Sequence, residues 1–173
     1  GMAIRFEETD LRPLSRTAHG VRAVLLEKDD YVVGMSIVRP ESELLTITEN
    51  GQGRRTPVED YRVQFRGGKG IRNYDLEKGA VAGVKVVDPD DDIILISKDG
   101  VIIRMHVRDI NSQSRYASGV RVMRLAEGDK VVTVARTPHG ASEETEEDLD
   151  RSDDCAEATA EELTDQQAED MGL

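Results

Sequence analysis

The sequence is poor in the residues that most often carry catalysis, metal binding and disulfide bonding. It has one cysteine, Cys155, no tryptophan and three histidines in 173 residues. One cysteine excludes a disulfide framework and a cysteine-based metal site, and His19, His106 and His139 show no metal-ligand spacing. An aromatic content of 3% disfavours binding of single-stranded nucleic acid, which relies on stacking of bases on aromatic rings.

Long apolar runs are lacking as well. No stretch approaches the ~20 residues that a transmembrane helix needs, and the N-terminus lacks the charged and apolar regions of a signal peptide. We therefore expect a cytoplasmic protein without a membrane partner, a metal or a cofactor. Because no candidate nucleophile stands beside a base, we also expect this chain to be catalytically silent.

The formal net charge of −12 is unevenly distributed along the chain. Residues 139–173 contain 14 Asp or Glu and one basic residue, Arg151, whereas residues 1–138 contain 22 Lys or Arg and 21 Asp or Glu. This division predicts a folded domain over 1–138 and a disordered acidic tail over 139–173. The tail is either a solubilising end or a competitor for a basic surface of the domain.

The body of the chain is one unit repeated three times. When Arg5, Arg55 and Arg104 are superposed, the same residue types follow at the same offsets, with periods of 50 and 49 residues. The shared string is Arg-x-x-x-Gly-[Val/Ile]-Arg. Its fixed residues are Arg16, Gly20 and Arg22 in the first copy, Arg66, Gly70 and Arg72 in the second, and Arg115, Gly119 and Arg121 in the third. We place the repeats near residues 3–52, 53–101 and 102–137.

Each repeat has the pattern of short strands rich in Val and Ile. The predicted strands are Tyr31–Val38, Leu44–Thr48, Val81–Val87, Ile93–Ser97, Val101–Val107 and Val131–Val134. Asn50-Gly51 and Asp99-Gly100 predict hairpins over Leu44–Arg55 and Ile93–Arg104, because these pairs favour tight turns. The low aromatic content leaves Val, Ile and Leu to fill the core.

A repeat of this length with about four strands is typical of a propeller blade. We therefore predict an all-β fold of the propeller or pinwheel type, with about two and a half blades in residues 1–138. That number is too small to close a ring, and the unpaired edges favour domain swapping or dimerisation.

The second repeat carries a glycine-rich basic loop, Gln64-Phe65-Arg66-Gly67-Gly68-Lys69-Gly70. Its glycines let the backbone approach a partner closely, and Arg66, Lys69 and Arg72 place cations beside amide groups, a combination that suits phosphate. A Walker loop is excluded because Gly70 stands where Ser or Thr must follow the lysine. The dinucleotide fingerprint is excluded because a strand pattern, not a helix, follows.

Two plainer interpretations stay open. The loop is a tight turn and nothing more, or the recurring arginines are structural. In the structural alternative, Arg5, Arg55 and Arg104 each pair with the recurring aspartate of their own blade. Those aspartates are Asp10, Asp60 and Asp109.

The loop and its flanks, Arg54-Arg55-Thr56-Pro57 and Glu59-Asp60-Tyr61-Arg62, resemble the C-terminal domain of the A chains of bacterial DNA gyrases. The family's box, Gln-Arg-Arg-Gly-Gly-Lys-Gly, is matched at every position except Phe65. The blade pattern is similar from residue 3 to about residue 137. The resemblance implies the last blades of a six-bladed β-pinwheel whose basic rim bends double-stranded DNA around itself.

By the same resemblance, the chain supports negative supercoiling by an ATP-dependent type IIA topoisomerase. The implied partners are DNA phosphates, the gyrase B subunit, and the rest of the gyrase A subunit, with no catalytic residue in this chain. The residues expected at the DNA are Arg16, Arg22, Arg54, Arg62, Gln64, Arg66, Gly67, Gly68, Lys69, Gly70, Arg72, Arg115 and Arg121.

Two alternatives share most of these features. Topoisomerase IV A subunits have the same blade pattern, and a propeller that binds a protein would use arginines as interface anchors. The positions of Arg16, Arg66 and Arg115 distinguish DNA binding from a scaffold role. A common rim favours DNA, and burial between blades favours a scaffold.

Overall fold

The structure, a computed structural model, describes residues 1–138. The predicted disordered tail, 139–173, lies outside the described residues. Within 1–138 the fold contains strands and short 3₁₀ turns and no α-helix, so the all-β prediction is confirmed. The strands are β1 (Met2–Ala3), β2 (Glu43–Thr48), β3 (Gln52–Pro57), β4 (Ile71–Arg72), β5 (Val81–Val87), β6 (Asp91–Ser97), β7 (Ile102–His106), β8 (Val120–Arg121) and β9 (Val131–Pro138). The 3₁₀ turns are Glu8–Asp10, Val58–Asp60, Leu76–Lys78 and Val107–Asp109.

In this part of the chain the strands form antiparallel sheets in the orders β1–β4, β5–β2–β3–β8 and β7–β6–β9. The two predicted hairpins are present as β2–β3 and β6–β7, and Gly51 and Gly100 adopt the left-handed φ angles that their turns require. Each hairpin also pairs with a longer strand that comes later in the chain, after an intervening two-residue strand. β5 pairs with β2 and β9 pairs with β6, with a register shift at equivalent places, after Ile47 and Ile96.

The end of the repeated string joins successive repeats. Ile71 and Arg72 form β4, which pairs with β1, and the equivalent β8 pairs with β3. Gly70, just before β4, has φ +78 and approaches β1 so closely that a Cβ atom would lie 2.3 Å from the carbonyl oxygen of Ala3. Only glycine combines this conformation with this lack of bulk. Sequence patterning did not predict these two-residue strands, because two residues show no alternation.

The main hydrophobic cluster contains no aromatic side chain, as the low aromatic content predicted, and the buried Tyr61 and Tyr74 lie outside it. Leu45 and Ile47 of β2, and Ile93 and Leu95 of β6, are fully buried and belong to one cluster. The rest of the cluster is Val87, Val107, Ile110, Met123, Val131 and Val134. Because these residues come from both hairpins and from the strands added to them, the core is shared between successive repeats.

The prediction of a strand over Tyr31–Val38 is wrong in this structure. Val32 is 59% exposed, whereas the equivalent Val81 and Val131 are 9% and 1% exposed in β5 and β9. β5 and β9 each pair with a hairpin about 40 residues earlier, and by that spacing the hairpin for Tyr31–Val38 would fall before residue 1. Strand propensity alone does not make a strand, because the backbone groups need a partner.

Candidate nucleic-acid interface

Paired arginines stand at two equivalent junctions between repeats. At the first junction, Arg66 donates hydrogen bonds to the carbonyl oxygens of Arg22 and Asp10, both at 3.1 Å. At the second junction, Arg115 donates to the carbonyl oxygen of Arg72 at 2.6 Å. At both junctions, the first arginine of the string therefore bonds to the carbonyl oxygen of the last arginine of the string in the preceding copy. Because a carbonyl oxygen carries no formal charge, these bonds fix the guanidinium groups without neutralising them.

Four further arginines of the predicted site are exposed cations. They are Arg16, Arg22, Arg62 and Arg121. Over residues 1–138 the structure gives none of these four side chains a hydrogen bond or an ion pair. Arg16 is the first-repeat equivalent of Arg66, and the repeat that it would contact in the same way would precede residue 1. All four charges are therefore available to a partner.

Lys69 and the side chain of Arg72 form ion pairs at the surface. Lys69 Nζ lies 3.5 Å from Glu27 Oε1, and Arg72 Nη2 lies 2.6 Å from Asp75 Oδ2. All four side chains are well exposed. Exposed pairs of this kind contribute about 0–1 kcal/mol, so a phosphate can replace the carboxylate at little cost.

The glycines of the basic loop are used mainly within the protein. The Gly67 N–H donates to the carbonyl oxygen of Ala23 at 2.7 Å, and the Leu25 N–H donates to that of Gly68 at 2.9 Å, so the loop lies against the first repeat. Gly67 and Gly70 have left-handed φ angles of +82 and +78. At Gly68 a Cβ atom would meet nothing closer than 3.7 Å. At Gly67 the nearest atom would be 3.6 Å away, so a partner has room to approach both glycines, whereas Gly70 is packed against β1.

Gln64, the first residue of the loop, lies in the contact between repeats. Its N–H donates to the carbonyl oxygen of Arg5 at 2.8 Å, and the equivalent Gln113 N–H donates to that of Arg55 at 2.9 Å. Gln64 Nε2 and Gln113 Oε1 are buried and have no hydrogen-bond partner among the described residues. This placement ties Gln64 to packing between repeats rather than to the exposed cations.

The expectation that Arg54 contacts DNA is corrected by the structure. Arg54 is 1% exposed. Its Nε donates to Thr56 Oγ1 at 3.1 Å, Nη2 donates to the carbonyl oxygen of Asn73, and Cζ lies 4.5 Å from the centre of the Tyr74 ring. Burial raises the pKa of Tyr74, and also that of Tyr61, whose hydroxyl donates to Asn73 Oδ1 at 2.6 Å.

The arginines that begin each repeat are structural, but with other partners than the predicted aspartates. Arg55 Nη1 lies 2.5 Å from Glu43 Oε2, and Arg104 Nη2 lies 2.7 Å from Asp92 Oδ2. Arg5 donates to the carbonyl oxygen of Val58 at 2.7 Å. In the second and third copies the acid precedes the arginine by twelve residues, on the other strand of the hairpin. That recurrent spacing is the signal that would have identified both pairs.

Tyr116 is a surface residue of the second junction that the repeat comparison missed. Its hydroxyl accepts a hydrogen bond from Arg115 Nη2 at 2.6 Å, and its ring centre lies 4.5 Å from Arg115 Cζ. The other copies have Thr17 and Gly67 at this position, so the repeats carried no signal for it. Tyr116 thus adds two contacts to the hydrogen bond that the Arg115 guanidinium makes with the Arg72 carbonyl oxygen.

Other kinds of site have less support in residues 1–138. No group of His, Cys, Asp or Glu among them is arranged to hold a metal ion. In the same residues, no helix is long and apolar enough to cross a membrane. His106 Nδ1 lies 2.5 Å from Oδ1 of the buried Asp92, so this histidine is part of the polar contacts within the β6–β7 hairpin.

Comparison with known proteins agrees with the resemblance drawn from the glycine-rich loop. The family of the DNA gyrase C-terminal domain, beta-propeller, matches residues 1–39, 42–88 and 91–138. The DNA gyrase A subunit of Staphylococcus aureus strain NCTC 8325 is 42% identical over 170 residues, which cover 96% of this chain and 19% of the relative. The same protein of strain MRSA252 is 55% identical over 71 residues, 40% of this chain and 8% of the relative. This chain thus spans about a fifth of the length of these relatives.

Solved structures show the same fold. A structure of the DNA gyrase A C-terminal domain superposes with a TM-score of 0.72 at 30% identity, over 79% of this chain and 47% of the other. The C-terminal domain of a DNA topoisomerase IV superposes with a TM-score of 0.73 over 80% and 44%, and at 23% identity it shows the fold alone. With its three family matches and its gyrase A relatives, this chain belongs to the DNA gyrase C-terminal domain family of β-propellers.

Proposed function

We propose that this chain is a DNA-wrapping module that binds the phosphate backbone of double-stranded DNA along the junctions between its repeats. The observation that carries the proposal is the recurring tether, Arg66 to Arg22 and Arg115 to Arg72, which fixes unneutralised guanidinium groups at equivalent places. Phosphate contacts of this kind are independent of base sequence. Smooth bending of a 20–30 bp site costs about 1–6 kcal/mol, so repeated contacts are needed to offset it.

The charges at the junctions favour DNA over a protein partner. Arg66 and Arg115 are partly exposed and their guanidinium groups are held by neutral groups, whereas burial between blades would have favoured a scaffold role. The untethered arginines, Arg16, Arg22, Arg62 and Arg121, add cations without acid partners. Lys69 and Arg72 have acid partners, but these ion pairs are exposed and weak. An excess of positive charge at regular places suits a polyanion.

The gyrase A relatives suggest the wider setting. We assign this chain to a longer gyrase-type A subunit that works with a gyrase B subunit in the cytoplasm. In that setting DNA cleavage and ATP hydrolysis belong to other domains, and this chain contributes the wrap that supports negative supercoiling. A topoisomerase IV A subunit remains the second candidate, because a topoisomerase IV C-terminal domain has the same fold.

The test is the affinity for a duplex of about 100 bp over a salt series. Replacement of Arg66 and Lys69 by alanine is expected to reduce the slope of log affinity against log salt by about two units. The matched control replaces Arg108 and Lys98, two exposed cations outside the repeated string, and is expected to leave the slope nearly unchanged. Thermal melting of each variant checks that the fold is intact.

Three outcomes would contradict the proposal. They are the absence of binding at low salt, binding that does not depend on salt, and an equal loss in both double variants. The last outcome would mean that any surface cation serves as well as the junction arginines.

A further inference from the structure

The second junction contains a buried cation that has no acid partner. Besides its contacts with Thr56 and Asn73, Arg54 donates to the carbonyl oxygens of Arg115 at 2.7 Å and Ala117 at 2.8 Å. All of its polar partners are neutral oxygens. A buried charge is costly unless an opposite charge or strong dipoles compensate it, and here the dipoles of these neutral groups and the face of the Tyr74 ring do so.

An open cleft lies against the residues that hold Arg54. It has a volume of about 130 Å³ and is lined by residues 72–75 of the second repeat and 115–118 of the third. Asn73, Tyr74, Arg115 and Ala117 line the cleft and also contact Arg54. The buried charge therefore lies one layer behind the cleft wall. At ~30 Å³ per water molecule, the volume accommodates a phosphate group.

Two further cations stand in the lining of the cleft. Arg115 is held in place by the Arg72 carbonyl oxygen and by Tyr116, through its hydroxyl and its ring. The Arg72 side chain is exposed and pairs with Asp75, the one carboxylate in the lining. Two guanidinium groups and one carboxylate thus line the cleft; behind the lining, Arg54 adds a third guanidinium group, and Asp60 Oδ2 accepts a hydrogen bond from the Arg115 N–H at 3.4 Å. Guanidinium groups held in this way match the geometry of phosphate oxygens.

The first junction provides an internal comparison. The residue equivalent to Arg54 is Ile4, whose Cδ1 would lie 3.7 Å from a Cβ atom on Gly68. The residue equivalent to Tyr116 is Gly67. The first junction therefore has the arginine tether without the buried charge and without the stacked tyrosine. The combination of an arginine tether, a buried arginine and a stacked tyrosine therefore belongs to the second junction and not to the repeat as such.

We propose that the cleft between residues 72–75 and 115–118 binds one phosphate group of the DNA backbone. Arg72 and Arg115 contact the phosphate. Arg54 is a positioning residue, which fixes the 115–117 backbone and supplies positive charge from behind the wall. That the phosphate belongs to DNA rests on the proposed function. That the cleft binds a phosphate group does not.

The first experiment titrates the 173-residue chain with inorganic phosphate at constant ionic strength and follows backbone amide shifts by NMR. Saturable shifts are expected at residues 72–75 and 115–118. At the equivalent residues of the first junction, 22–25 and 66–69, the affinity for phosphate is expected to be about tenfold weaker. Loss of one charge-assisted hydrogen bond lowers affinity by about that factor. Equal affinity at both junctions, or the lack of saturation at the second, would overturn the proposal.

Variants separate binding from folding. Arg115→Gln changes a partly exposed residue and is expected to weaken phosphate binding by about tenfold. Arg54→Ile reproduces the first junction, and Arg54→Lys restores the charge. Recovery of phosphate affinity in the lysine variant, relative to isoleucine, is a result that a purely structural role would not produce. If Arg54→Ile does not fold, Arg115→Gln decides, and unchanged affinity in that variant overturns the proposal.

The second experiment repeats the titration with a duplex of about 20 bp. Shifts at the same cleft amides support DNA as the source of the phosphate. If the duplex binds but shifts other residues only, the inference fails while the proposed function stands. If phosphate saturates the cleft and no duplex binds at any residue, DNA is refuted as the ligand and the proposed function fails with it.

Discussion

Replacement of Gly70 by alanine, compared with the same change at Gly20, tests how the repeats are held together. The two glycines are equivalent and have similar left-handed angles, φ +78 and +74. Alanine in that conformation costs about 1–2 kcal/mol at either site. At Gly20 nothing lies within 4 Å of the new Cβ, whereas at Gly70 the Ala3 carbonyl oxygen would be 2.3 Å away and its carbon 2.8 Å away.

The overlap at Gly70 is with backbone, so no side chain can rotate out of the way. Relief requires β1 to move from β4, where Met2 is paired with Arg72 and Ala3 with Ile71. Overpacking of a tight contact costs about 1–3 kcal/mol. We therefore expect Gly70→Ala to lose about 2–5 kcal/mol in all, and Gly20→Ala no more than about 2 kcal/mol.

Urea unfolding followed by circular dichroism measures both losses, and the midpoint shift is read at constant slope. Equal losses at Gly20 and Gly70 would refute the argument, because they would show that the dihedral angle matters and the contact with β1 does not. A large loss at Gly70 would also show that the last glycine of the basic loop is required for folding, whatever it contributes to DNA binding.

Three further outcomes are expected. Gly68→Ala should change the free energy of unfolding by less than about 0.5 kcal/mol, and it should weaken duplex binding if DNA approaches the backbone at this residue. Unchanged affinity for the duplex would exclude a close approach of DNA to Gly68. Burial raises the pKa of Tyr61 and Tyr74, so their contribution to stability is complete below pH ~10 and is lost as the pH rises through their folded values. Urea midpoints at pH ~9–11 should fall less steeply when both are changed to phenylalanine, and identical profiles would contradict the burial of their hydroxyls. Ile37→Ala should change the free energy of unfolding by less than about 0.5 kcal/mol, whereas Val86→Ala at the equivalent buried position should lower it by about 1–3 kcal/mol. Equal losses would show that the Ile37 side chain is buried as well.

Local chemistry was enough to predict part of the fold. The hairpins followed from Asn50-Gly51 and Asp99-Gly100, because such pairs accept the φ angles of tight turns. The repeat offsets identified Arg66 and Arg115 as equivalent, and the structure gives them the same bond to the preceding copy. These features depend on neighbours along the chain or on recurrence, both of which a sequence displays.

Pairing and burial between distant residues were decided by the tertiary structure. The sequence of Tyr31–Val38 favours a strand as much as that of β5 does, but only β5 meets a hairpin to pair with. Arg54 lies in a basic stretch that suggests a surface, and it is buried because carbonyl groups of the third repeat close over it. Composition and periodicity determined that this chain is a repetitive β protein with basic recurrences. Which cations face outward depends on contacts between residues 43 to 63 positions apart, and a local pattern carries no information about those contacts.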